Sequence, residues 1–322
     1  MSINTNAELG RVNPFLSQLR EQSLHVGRYQ IAPIPTGVFG LDGGAMFGTV
    51  PKVLWEKSNP PDSENRIAME ARALLLIDQQ SERKILVDCG IGGDFVAKYG
   101  PKLGPKFATM YSVTGAGGAA AGISAIGLSP NDITDVILTH LHFDHAGGAT
   151  CAAAPTETGS SALVPAFPKA TYYVQRTNLE TAKTPNIRER ASYFSANFQP
   201  LLDAGCLTLL DGPVDELLPE ISVFVSNGHT RGQQLVRVGQ GHSGLVYAGD
   251  LIPTSSHVRL AWIMGYDLEP LVLIEEKRTL LAELARDGGS LFFEHDPYMD
   301  AATVAADGSD YRVSERLRLR PN

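Results

Sequence analysis

The segment Thr139-His140-Leu141-His142-Phe143-Asp144-His145-Ala146-Gly147-Gly148 gathers three of the chain's eight histidines and an aspartate within six consecutive positions. At this composition, chance would produce an H-x-H-x-D-H string in on the order of 3 in 10,000 chains, so the pattern asks for a chemical explanation. Ile133 to Thr139 reads as the strand that leads into it. His140 and His142 are two residues apart at a strand end, so their side chains lie on one side and can grip one cation. Asp144 and His145 follow as the chain turns and can face a second cation beside the first. Imidazole and carboxylate donors suit zinc first, with manganese, iron or cobalt as alternatives. Burying four such ionisable groups together without a cation would carry a large desolvation cost.

Two cations need more donors, and three apolar runs end in suitable residues. Ile221 to His229 ends in Asn-Gly-His, Gly244 to Asp250 ends in Ala-Gly-Asp, and Leu291 to His295 ends in Glu-His. His25 and His242 sit in polar surroundings and read as surface residues. The three cysteines, Cys89, Cys151 and Cys206, form no C-x-x-C pair, which argues against a disulfide framework or a thiolate zinc site.

The organisation is that of an ordinary α/β globular chain. Of 322 residues, 43% are hydrophobic and 19% charged, and the net charge of −8 comes with no Lys/Arg run that could track nucleic acid. The most membrane-like stretch, Ala116 to Ile126, is too short to span a bilayer. Met1 to Asn6 is not the basic start of a signal peptide, so a cytoplasmic location is expected. Residues 1–29 read as an N-terminal arm, loose or briefly helical, and 30–322 as a single domain. Thr36 to Gly48 has five glycines among large apolar residues and reads as a shaped loop. Strands are expected at Ala73–Asp78, Lys84–Asp88, Leu207–Leu210, Ile221–Ser226, Gln234–Val238, Gly244–Ala248 and Ser290–Glu294, the last followed by a tail. Helices are expected at Arg188–Phe198 and Leu271–Arg286, the second closed by Gly288-Gly289, and Ser129-Pro130 reads as a helix start.

His140, His142, Asp144, His145, His229, Asp250 and His295 match, in order, the ligands of the dinuclear metallo-β-lactamase superfamily, which residues 30–300 resemble. The resemblance implies a four-layer αβ/βα sandwich, with two mixed β-sheets flanked by helices. It implies that His140, His142 and His229 hold one divalent ion, that Asp144, His145 and His295 hold the other, and that Asp250 bridges them. Asp88, in Val87-Asp88-Cys89-Gly90, resembles that fold's Asp-x-Gly turn, whose carboxylate orients a ligand. The string His-Leu-His-Phe-Asp-His-Ala-Gly-Gly also occurs in acyl-homoserine lactonases. Leu41 to Lys52, Pro185 to Arg188, Asp250 to His257 and Tyr266-Asp267 look like segments of the YtnP-like quorum-quenching lactonases.

What this resemblance implies is a hydrolase that opens N-acyl-homoserine lactones with a metal-bridging hydroxide. Asp250 would position that hydroxide, and Asp144 would carry the proton to the leaving oxygen. Phe39, Met46, Phe47, His257, Trp262 and Tyr266 are the expected substrate contacts. Other lactonases of this fold place a tyrosine three residues after the bridging aspartate. Pro253 stands there in this chain, so another donor is expected, with His257 the first candidate. The alternative activity is that of a phosphotriester or arylester hydrolase of the methyl parathion hydrolase type. The expected partner is a small-molecule substrate, with neither nucleic acid nor membrane, and a homodimer is compatible with this reading.

Overall fold

The computed structural model describes residues 24–115, 117–153 and 162–319. Two seven-stranded mixed sheets face each other. In the first, β1 (Leu24–Val26), β2 (Tyr29–Asp42), β3 (Arg66–Asp78) and β4 (Lys84–Val87) run antiparallel. Parallel strands β5 (Asp135–Ile137), β8 (Thr171–Gln175) and β9 (Leu207–Leu210) then extend the sheet. A separate hairpin consists of β6 (Thr150–Ala152) and β7 (Leu163–Pro165).

The second sheet runs β10 (Val214–Leu218), β11 (Ile221–Ser226), β12 (Gln233–Val238), β13 (Leu245–Tyr247), β14 (Ser290–Phe292), β15 (Ala301–Asp307) and β16 (Asp310–Leu317). Its one parallel pair is β13 with β14.

Strand alternation explains the layering. Leu74 and Leu76 on β3 pack inward against Val236, Val238, Tyr247 and Phe292 of the second sheet. Their neighbours Ala73 and Leu75 face outward, towards Ala119, Ile123, Leu179 and Leu201 on the outer helices. The second sheet does the same with Leu273, Leu280, Leu281 and Leu284 of helix Pro270–Asp287. Sheets covered on both faces carry near-continuous apolar strands, as seen here. The result is the αβ/βα sandwich. Among the described residues, no helix is long and apolar enough to cross a membrane.

Several expectations need correction. Thr36 to Gly48 is not a loop. It completes β2, paired with β3 from Tyr29↔Asp78 to Asp42↔Arg66 with a bulge at Thr36, and then forms the short helix Gly43–Phe47. The backbone ladder overrides the glycines, whose open faces accept close neighbours: a Cβ on Gly40 would meet the Arg66 side chain. Arg188 to Phe198 is not a helix but a series of turns ending in a single 3-10 turn, Ser195–Asn197. It is held instead by a bridge between Tyr193 and His142 and by the Phe143 amide donating to Ser192.

The expected tail after Glu294 is the β15–β16 hairpin. Ser129-Pro130 does cap a helix, but only one 3-10 turn. The helix at 270–287 ends as expected, on Gly288 in the left-handed region. The first sheet already includes Leu24–Val26 and Tyr29, within the stretch expected as an arm, and residues 1–23 lie outside the described residues.

Candidate metal centre

Every residue of the motif set sits just past a strand on one edge of the sandwich. Asp88 follows β4, and His140 and His142 follow β5. Asp144 and His145 lie in the single turn of helix Phe143–Ala146. His229 follows β11, Asp250 follows β13, and Glu294 and His295 follow β14. The Gly-Gly of the motif lets this turn lie against the β4 loop, since a Cβ on Gly148 would stand 2.2 Å from the Cys89 carbonyl oxygen. Asp88 itself adopts φ 57°, a conformation costing about 1 kcal/mol for a residue with a Cβ. Its carboxylate compensates by accepting from the Thr139 amide and hydroxyl, both at 2.7 Å.

Two groups of donors result, each with its atoms within 4.8 Å of one another: His140, His142, His229 and Asp250, and Asp144, His145 and His295. Asp250 joins them. One of its oxygens lies 3.1 Å from His229 Nε2, 3.5 Å from His145 Nε2 and 3.9 Å from His140 Nε2. The other lies 3.2 Å from His295 Nε2. Asp144 reaches both His145 Nε2 and His295 Nε2, at 3.9 and 3.8 Å. His142 turns Nδ1 towards His229 Nε2 at 3.1 Å, and the Nε2 atoms of His145 and His295 converge at 3.3 Å.

The donor set fits divalent cations. His140 Nε2 and His142 Nε2 are buried with no hydrogen-bond partner, and such orphaned atoms in a native core ask for an occupant. Burial, followed by the neighbouring imidazoles, pushes His140 well below the usual histidine range, so its ring is neutral and able to ligate. His142 behaves in the same way, burial and His229 being its main causes. Against the opposing effect of burial, Glu294 and Asp250 raise His295 to about 9.

The outer contacts orient the rings. Asp88 Oδ2 lies 3.0 Å from His145 Nδ1, Asp267 Oδ1 lies 2.8 Å from His229 Nδ1, and the Glu70 carbonyl lies 2.9 Å from His295 Nδ1. Sequence reasoning found Asp88 but missed Asp267 and Glu294. The signal for Glu294 was a charged residue within the apolar run Leu291-Phe292-Phe293, and the signal for Asp267 was its place beside Tyr266. Tyr193, also missed, sets its ring against His142 at 4.5 Å, a contact that the helical reading of 188–198 concealed.

The expected substrate contacts divide into two groups. Phe39 meets His295 edge-on at 5.6 Å, and the Tyr266 ring stands 6.0 Å from His229. Met46, Phe47, Trp262 and His257 form the layer behind. Met46 and Phe47 are fully buried, and Phe47 stacks between Trp55 and His257 with Trp262 on its edge. His257 is not free to contact a substrate, which corrects its assignment as a donor. Its Nδ1 pairs with the Thr254 hydroxyl at 2.7 Å and its Nε2 with the Met46 carbonyl at 2.8 Å. Burial holds it down to about 3, so it pins two loops together as a neutral ring. A cavity of about 1240 Å³ lies elsewhere, between β11, β12 and helix Pro270–Asp287.

Comparisons with known proteins agree with this architecture. A family model described as the metallo-beta-lactamase superfamily matches residues 73–151. An N-acyl homoserine lactonase, AttM, from Azorhizobium caulinodans is 27% identical over 187 residues, covering 56% of this chain and 64% of the relative. The match thus spans less than two thirds of that relative's length. A probable metal-dependent hydrolase from Staphylococcus aureus superposes with a TM-score of 0.78 at 27% identity, over 92% of this chain and all of the other. AidC, a dizinc quorum-quenching lactonase crystallised with N-hexanoyl-L-homoserine as product, superposes with a TM-score of 0.69 at 19% identity, over 93% of this chain and 98% of its own. The sandwich, the donor groups at its edge and the matched segment make this chain similar to the metallo-β-lactamase superfamily, whose family model covers residues 73–151.

Proposed function

We propose that the chain is a dinuclear metal-dependent hydrolase that opens N-acyl-homoserine lactones. The observation that carries the reading is the pair of adjacent donor groups, with Asp250 in the first and its oxygens 3.5 Å from His145 Nε2 and 3.2 Å from His295 Nε2 of the second. In this reading His140, His142 and His229 hold one ion, Asp144, His145 and His295 hold the other, and Asp250 touches both. Zinc is the proposed metal, because imidazole-rich sites with carboxylates favour it. Two such ions, when bound, supply an activated water and a Lewis acid for an ester carbonyl.

The chain's own residues do the rest. Asp144 stands beside both His145 and His295, which supports it as the group that would pass a proton to the leaving alkoxide. Tyr266 takes the donor role that Pro253 cannot fill and His257 is too engaged to fill. Among the described residues its hydroxyl donates to the Met46 thioether, a weak acceptor, at 3.0 Å. Burial, followed by Asp250 and Asp144, pushes the phenol well above 10, so it stays protonated and able to donate to the substrate carbonyl. Tyr266, half-buried with its ring beside His229, would meet an acyl chain, with the buried Phe39 packed against His295 behind it.

The test is a hydrolysis panel of acyl-homoserine lactones, phosphotriesters and arylesters, run on protein of known metal content. Lactones should lead on kcat/KM. Phosphotriesters outrunning every lactone would turn the assignment to the methyl parathion hydrolase type.

A further inference from the structure

We propose that Glu294 is a second positioning carboxylate for His145, and that it makes the Asp144–His145–His295 group the tighter holder of its cation. The proposal rests on the dinuclear reading above and adds to it a difference between the two ion positions.

Glu294 is fully buried at the end of β14. Its Oε2 lies 2.9 Å from His145 Nδ1, the atom that Asp88 Oδ2 meets at 3.0 Å. Donor atoms of Asp88, His145 and Glu294 all lie within 4.8 Å of one another. Two carboxylates therefore back one imidazole. Asp88 has other partners in the Thr139 amide and hydroxyl. Neither oxygen of Glu294 has a hydrogen bond of good geometry. A carboxylate placed so deep without donors is costly unless positive charge compensates it. Its salt-bridge partner among the described residues is His145, whose Nε2 faces Asp144 and Asp250 in the donor cluster. A cation at that Nε2 is the compensation this geometry calls for.

The other rings are backed more weakly. His229 has a single carboxylate in Asp267, His140 has the Thr139 hydroxyl at 3.1 Å, and His295 has a backbone carbonyl. A carboxylate behind an imidazole fixes the tautomer and raises the ring's strength as a ligand. With Asp88 accepting at Nδ1 and the Glu294 carboxylate close beside the same atom, the proton of His145 is held at Nδ1, and Nε2 remains free to ligate.

The test is zinc release from the full chain under a graded chelator, read as zinc per chain, with the melting temperature of the zinc-free protein measured alongside. Wild type should release its two ions in two stages. Glu294→Gln should weaken the later-released ion by about 10–100-fold, while Asp267→Asn should weaken the earlier one. The zinc-free Glu294→Gln protein should melt no lower than wild type, which a merely structural role would not allow. Should the glutamine variant fail to fold, Glu294→Leu supplies the same readout. Two ions held at wild-type affinity in the variant, or a shift confined to the earlier stage, would overturn the proposal. A wild type that saturates with fewer than two ions would instead overturn the dinuclear reading, and this is read on the wild type alone.

Discussion

His229 Nδ1 lies 2.8 Å from Asp267 Oδ1, while the other Asp267 oxygen accepts from the Met264 amide at 2.8 Å. One carboxylate thus orients a ring of the donor cluster and folds the loop that carries Tyr266. The Leu268 amide donating to the His229 carbonyl closes the same link from the backbone.

Asp267→Asn should therefore weaken metal binding by roughly 10–100-fold, the usual effect of removing a carboxylate behind a ligating imidazole. Equilibrium zinc competition checks this. Unchanged affinity would leave Asp267 with only its loop contact.

Asp250→Ala should remove at least about 100-fold of hydrolytic activity, because its carboxylate lies against histidines of both donor groups. His242→Ala serves as the control. His242 is more than half exposed and pairs with Glu283, remote from the donor cluster, and its removal should leave the rate unchanged. Steady-state kinetics on both variants decides the matter, and equal losses would refute the assignment.

Tyr266→Phe should lower kcat more than it raises KM, since a hydrogen bond to developing negative charge forms mainly in the transition state. An oxyanion donor of this kind is worth about 2.7–4 kcal/mol, or roughly 100- to 1,000-fold in rate. His257→Ala should act differently, lowering the melting temperature by loosening the loop pair that it pins at Met46 and Thr254. A kcat loss in the histidine variant without loss of stability would reverse the two roles.

Lys277 is fully buried on helix Pro270–Asp287, and its ammonium donates to the carbonyls of Arg259 at 2.9 Å, Leu260 at 3.3 Å and Trp262 at 2.8 Å. Lys277→Met strands these acceptors and should cost about 1–3 kcal/mol of stability. Chemical denaturation measures it. A neutral substitution would mean that the loop rearranges to find water.

The donor cluster was legible in the sequence because metal chemistry fixes residue types and strand ends fix their place. His140, His142, Asp144 and His145 lie together as their spacing suggested, His229, Asp250 and His295 join them as the family resemblance implied, and the parallel pairs β4–β5 and β13–β14 explain why these ends meet. Less legible were features set by pairing partners distant in sequence. The glycines of 36–48 suggested a loop, but β3 supplies a ladder as far as Asp42, and a short helix follows. Arg188 to Phe198 has helical composition, yet the bridge from Tyr193 to His142 holds it extended at that point. His257 looked like a free loop histidine, because nothing local reveals that the Met46 carbonyl, from a helix 211 positions away, occupies its second nitrogen.

The most direct measurement of the central claim is lactone ring opening by metal-free protein titrated with zinc, with bound zinc counted at each point. The account predicts activity on an N-acyl-homoserine lactone that rises until about two ions are bound per chain and then levels off. Full activity with a single ion bound, or no lactone turnover at two, would contradict it.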